Sequence, residues 1–120
     1  MDLARCGQAS DLRCTVTFHG VLDSPAQLPG GAVSGEVLVC HGEKDPFTAP
    51  ENLAAFKRDM DARAAVWSMH TYTNRLHSFT RPEKETAQDR EAGMQYCDLA
   101  DAASWAAASV LMARTLTVSQ

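Results

Sequence analysis

Three stretches of this chain carry the hydrophobic rhythm of β-strands, and each ends in turn chemistry. "CTVTFHG", residues 14 to 20, alternates. Cys14, Val16 and Phe18 fall on one face, and Thr15, Thr17 and His19 fall on the other. "EVLVCHG", 36 to 42, is apolar on both faces, the pattern of a central strand buried from both sides. "VWSMHTY", 66 to 72, alternates again. The connection "VLDSPAQLPGGAVSG" between the first two is rich in Pro and Gly and reads as loop.

The rhythm changes to that of a helix after the second strand. Thr48 and Glu51 have the spacing of a capping box, Pro50 suits the first turn, and Leu53, Phe56 and Met60 form an apolar stripe. A second helix is predicted from about Asp98 to Leu116. Its apolar residues run nearly all the way round, and Ala102, Ala103, Ala106 and Ala107 permit close approach, so cover on more than one side is expected. Trp105, Met112 and Leu116 lie at helical spacing and read as packing residues. "MDLARC" at the start has the look of a helix tail, too short to stand alone. "RPEKETAQDRE", 81 to 91, reads as a charged, solvated segment. Strand, loop, strand, helix, strand, helix is the grammar of a parallel α/β sheet. In such sheets ligands sit beyond the carboxyl ends of the strands, which directs attention to the loops after Gly20, Gly42 and Tyr72.

Composition narrows the function classes. With 120 residues, 45% of them hydrophobic and 22% charged, the chain suits one globular domain, taken as residues 1 to 120. A net charge of −4 with scattered basic residues argues against nucleic acid as a partner. No apolar run approaches the ~20 residues that span a bilayer, and the polar start is not a signal peptide. Cys6, Cys14, Cys40 and Cys97 form no CxxC pair and are read as reduced thiols, which implies the cytoplasm. Cys14 and Cys40 lie in apolar runs as small core residues.

Beyond the second strand the chain reads "VLVCHGEKDPFTAPENLAAF", and beyond the third "YTNRLHSFTRP". These blocks, with the earlier "LARCGQASDLRCTVTFHGVLDSP", resemble the C-terminal half of the dienelactone hydrolase family in the α/β-hydrolase superfamily. The resemblance spans nearly the whole chain, and three separated blocks agree in order and spacing. It implies an α/β fold, a small parallel sheet of about three strands with flanking helices. It also implies ester or lactone hydrolysis through a nucleophile–His–Asp triad, without metal or organic cofactor. Asp45 would be the triad acid and His77 the base, in the chain order α/β-hydrolases use. Read alone, His77 is a loop or capping histidine and Asp45 a turn former; by the resemblance they are positions of catalytic descent. Arg75 and Arg81 flank His77. Arg81 in particular would attract a small carboxylated ester or lactone, or else is merely solvated.

The chain departs from the family in one respect. No G-x-C-x-G or G-x-S-x-G elbow occurs in it, and "ARCGQ" around Cys6 lacks the first glycine. Aligned with the family, Met1 falls a few residues past the nucleophile, so the chain is expected to be inactive alone. Cys40 lies within a strand and is not expected to substitute for the nucleophile. His19 and His41 each end a strand before a glycine and are expected side by side, but with Cys40 they match no zinc spacing, and no metal is expected. The alternative function is a non-catalytic oligomerising or binding module. In either case the edge of the first strand is expected to pair with a second copy, giving a homo-oligomer.

Overall fold

A computed structural model of the protein describes residues 12–22 and 33–116. The "MDLARC" segment with Cys6, and most of the Pro/Gly-rich connection, lie outside the described residues. Strands β1 (Cys14–Phe18), β2 (Glu36–Gly42) and β3 (Val66–Tyr72) form a parallel sheet in the order β1-β2-β3. Helix α1 (Pro50–Ala62) connects β2 to β3. The short helix α2 (Ala87–Glu91) and the long helix α3 (Asp98–Thr115) follow.

The apolar run of β2 sits where two-sided burial demands, in the middle, with Val37 through Gly42 all buried. Its alternation divides the core in two. Val37 and Val39 meet Phe56 and Met60 of α1, with Trp67 and Met69 of β3 packed alongside. Leu38 and Cys40 face the other way, onto Ala100, Ala108 and Leu111 of α3. Cys14, Val16 and Phe18 of β1 pack on this second cluster, and Phe18 stacks on Trp105 with ring centroids 4.6 Å apart. The sheet is thus covered by α1 on one face and α3 on the other.

Three details differ from the sequence reading. Helix α1 has no capping box. Its N-cap is Ala49, with Pro50 at the first helical position, because the Thr48 hydroxyl is committed elsewhere and accepts the buried Leu22 N–H at 3.2 Å. Within the charged segment 81 to 91, Thr86 and Asp89 form a true capping box that opens α2. In α3 the buried stripe is Ala100, Ser104, Ala108 and Leu111; Trp105 is half covered by Phe18, whereas Leu99 (72% exposed) and Val110 (66% exposed) find little cover among the described residues. No helix among those residues is long and apolar enough to cross a membrane.

Two residues past the end of helix α1, Ala64 stands at φ 53, a left-handed position usually given to glycine. The Ala64 N–H reaches the Asp61 carbonyl and the Ala65 N–H the Met60 carbonyl, which satisfies the helix end and turns the chain into β3.

Candidate active site

The loops after β2 and β3 leave the sheet at the same edge and touch. Gly42 makes this possible, since a Cβ there would stand 2.6 Å from the Arg75 carbonyl oxygen and 2.7 Å from that of Leu76. The contact is then fixed by backbone hydrogen bonds from the Glu43 N–H to the Tyr72 carbonyl and from the Lys44 N–H to the Arg75 carbonyl, at 3.0 and 2.9 Å. The Asn74 N–H also donates to the Glu43 carboxylate, with Asn74 itself at φ 63.

This brings Asp45 and His77 together. The Asp45 carboxylate is fully buried as a side chain and shares its two oxygens. Oδ1 accepts the Phe47 N–H at 2.8 Å, and Oδ2 lies 2.8 Å from His77 Nδ1. A carboxylate can only accept, so Nδ1 donates and Nε2 is the nitrogen left to take up a proton. The Phe47 N–H bond closes a turn two residues long that fixes the carboxylate before helix α1 begins. Asp45 therefore forms its turn and orients the imidazole at once.

His77 is held from behind as well. Its N–H donates to the Gly93 carbonyl and its own carbonyl accepts from Gln95, both at 3.0 Å, while the Cys97 N–H reaches Phe79. Residues 77 to 79 thus run beside 93 to 97, the link between α2 and α3. Gly93 stands at φ 90, and a Cβ on it would meet the Pro46 ring at 2.3 Å, so this link also abuts the Asp45 loop. Within "HSF", Ser78 is buried at φ 62, a costly conformation for serine. It turns Phe79 into the core, where that ring is fully buried between His19 and Tyr72, at 5.3 Å from each.

Two aromatic rings flank the His77 imidazole, the half-exposed Phe47 at 4.7 Å and His19 at 5.2 Å. His19 and His41 stand at neighbouring strand ends, as expected, but their rings lie in different surroundings. The His19 N–H does meet the Cys40 carbonyl, but its ring packs on Phe79 in the α3-side cluster. His41 follows Val37 and Val39 onto the α1 side, where it is 3% exposed and its Nδ1 has no hydrogen-bond partner among the described residues. Burial lowers the basicity of both imidazoles below the ordinary histidine range; for His19 the neighbouring His77 adds to the effect. Neither role was legible in a pattern that only marked both as strand ends.

Arg81 is half exposed and pairs with Glu83 at 2.7 Å, while remaining near enough to His19 to depress its basicity slightly. Arg75 instead lines a shallow depression with Thr71, Thr73 and Leu99. No described cysteine is placed to attack a substrate beside His77. Cys40 is fully buried and its thiol is pushed up by that burial, Cys97 caps α3 through its sulfur, and Cys14 starts β1 at the opposite edge of the sheet. Among the described residues no group of three or more His, Cys, Asp or Glu could hold a metal ion.

A family model for the dienelactone hydrolase family matches residues 1–116. Among solved structures, a dienelactone hydrolase-like promiscuous phosphotriesterase from metagenomic libraries superposes with a TM-score of 0.81 at 32% identity, over 93% of this chain and 45% of that one. A second, m3DLH, gives a TM-score of 0.75 at 34% identity, over 86% of this chain and 42% of that one. The chain spans less than half the length of either structure. No curated protein matches it.

Proposed function

This chain belongs to the dienelactone hydrolase family, and from that premise we propose that it carries the acid and base of an ester- or lactone-hydrolysing triad whose nucleophile is supplied from outside residues 1 to 120. The observation that supports this most is the 2.8 Å contact between the buried Asp45 carboxylate and His77 Nδ1. In the proposed chemistry Nε2 of His77 accepts the proton of a Cys or Ser as that atom attacks the substrate carbonyl. Asp45 stabilises the resulting imidazolium and holds its tautomer. The imidazolium then protonates the leaving alcohol, and a water activated by the neutral imidazole hydrolyses the acyl intermediate. None of these steps uses a metal or organic cofactor.

The substrate class is a small carboxylated ester or lactone. Arg81 is its anion partner, exchanging the exposed Glu83 carboxylate for that of the substrate, a low-cost exchange because surface pairs contribute little. A solved relative is named a promiscuous phosphotriesterase, so phosphotriesters form a second class to assay. The three described cysteines are free thiols, which suits the cytoplasm.

A second reading, a non-catalytic oligomerising module, draws on the exposure of Leu99, Trp105 and Val110 along α3 and on the outer edge of β1, which no strand among the described residues pairs with. Under it a second copy covers these surfaces, and light scattering should give a homo-oligomer; a monodisperse monomer would contradict it.

The test of the first reading is hydrolysis of a p-nitrophenyl ester series. The 120-residue chain, its His77→Ala variant, and the reading frame extended upstream to a glycine-flanked Cys or Ser are compared. The triad reading expects turnover in the extended protein that disappears with His77→Ala, and none above that variant in the chain alone. Turnover in the extended protein that survives His77→Ala overturns it, and an in-frame stop before any such residue favours the module.

A further inference from the structure

We propose that His19 is a positioning residue for His77, and that Thr80 is the anchor that fixes it. The inference rests on the reading of His77 as the acid–base group. It concerns a residue outside the triad, carried on a different strand.

His19 is held from three directions. Its N–H donates to the Cys40 carbonyl at 2.9 Å, which continues the β1–β2 ladder one residue past the strand. Its Nε2 lies 2.8 Å from the Thr80 hydroxyl oxygen. Its ring stands edge-on to the fully buried Phe79, at 5.3 Å and 82°. The backbone pays for this placement with φ 45, in the left-handed region where an ordinary side chain costs about 1 kcal/mol or more. Such a conformation persists only where its surroundings over-determine it, and it is commonest at working sites.

What this fixed ring meets is His77. The two imidazoles are 5.2 Å apart and nearly perpendicular, at 72°. Phe47 lies 4.7 Å from His77, and Asp45 holds Nδ1. The three contacts together restrict rotation of the His77 ring, which a hydrogen bond to one nitrogen does not do alone. Thr80 follows His77 by three residues in the same loop, so the His19–Thr80 bond also ties that loop to the end of β1. Small errors in the placement of a general base are expensive in rate, so a device that fixes the ring plane has a function. The groups facing His19 are His77, Asp45, Arg81, Thr80 and Phe79. Burial and the neighbouring His77 keep the His19 imidazole neutral more readily than usual, so an imidazolium at His77 does not face a second charge.

The experiment uses the 120-residue chain, labelled with nitrogen-15, and reads the His77 imidazole by two-bond proton–nitrogen spectra. The native chain should show one His77 tautomer, protonated at Nδ1, with that proton protected from solvent. In His19→Ala and in Thr80→Val, which keeps the volume of the side chain, the tautomers should mix, and the Nδ1 proton should exchange roughly tenfold faster, as loss of one ordinary restraint implies. Thr80→Ser should restore the native spectrum. An unchanged His77 spectrum in Thr80→Val, with the amide spectrum intact, overturns the proposal, and Thr80→Val decides should His19→Ala unfold. Mixed tautomers in the native chain would instead contradict the Asp45–His77 pairing itself, and with it this inference.

Discussion

Gly42 and Arg75 approach so closely that a single added methyl on Gly42 would stand 2.6 Å from the Arg75 carbonyl oxygen. That approach brings the loop carrying Asp45 against the loop carrying His77, so the pair depends on a residue with no chemistry of its own. Gly42→Ala must push backbone away from backbone, which has no flexible side chain to absorb it. We expect a loss of about 1–3 kcal/mol in urea unfolding, the range for overpacked sites, together with loss of the protected Nδ1 proton of His77. An alanine variant as stable as the native chain would show that the loops can separate without cost.

The end of α1 offers a change in the opposite direction. Ala64 at φ 53 takes the left-handed position of a well-formed helix stop. Ala64→Gly removes the Cβ strain and should stabilise the chain by about 0.5–1 kcal/mol, read as a higher urea midpoint at unchanged slope. Destabilisation would mean that the larger entropy loss of glycine outweighs the strain.

Thr48 and Glu51 separate the expected cap from the observed one. The Thr48 hydroxyl accepts the buried Leu22 N–H, and Glu51 makes no capping bond. Thr48→Val leaves that N–H unsatisfied and should cost about 1–3 kcal/mol. Glu51→Ala should stay within about 0.5 kcal/mol of native, as exposed substitutions generally do. Equal losses in the two variants would restore the capping box.

Mild acid should weaken the fold through His19 and His41. His19 and His41 are both held below the ordinary histidine value of 6.5, chiefly by burial. In the window from that value down to their lowered folded values, the unfolded chain binds protons that the folded chain refuses. Stability therefore falls as pH drops through this window, and is insensitive to these two groups above it. The urea midpoint should be lower at about pH 5.5 than at about pH 7.5, and His41→Leu should flatten the difference. A midpoint that rises on acidification would reverse the sign and refute the assignment.

Burial pattern was the most readable layer of this sequence. The apolar run of β2 pointed to a strand covered on both faces, and the spacing of Leu53, Phe56 and Met60 pointed to one face of a helix. The contact between Asp45 and His77 was suggested by resemblance alone, because nothing local to either residue says that a glycine at 42 lets their loops meet. Backbone conformation was the least readable. Ala64, Ser78 and His19 all adopt left-handed angles that their residue types do not favour, since tertiary contacts impose them. Thr48 and Thr86 show the same limit. Both precede an acidic residue at capping distance, yet a distant N–H claims the first hydroxyl and only the second caps a helix. The second face of α3 was expected to be covered, and periodicity could not say by what.

The most direct test of the pairing on which the functional reading stands is a double-mutant cycle on Asp45 and His77, with Asp45→Asn, His77→Gln and the double variant compared by urea unfolding at neutral pH. The two side chains share a short bond at a buried carboxylate, so the single changes should not add. We expect a coupling of about 1–3 kcal/mol, the range for residues in contact through a charge-assisted hydrogen bond. Additivity within about 0.5 kcal/mol, the behaviour of independent sites, would contradict the account by showing that Asp45 and His77 are neighbours that do not work as a pair.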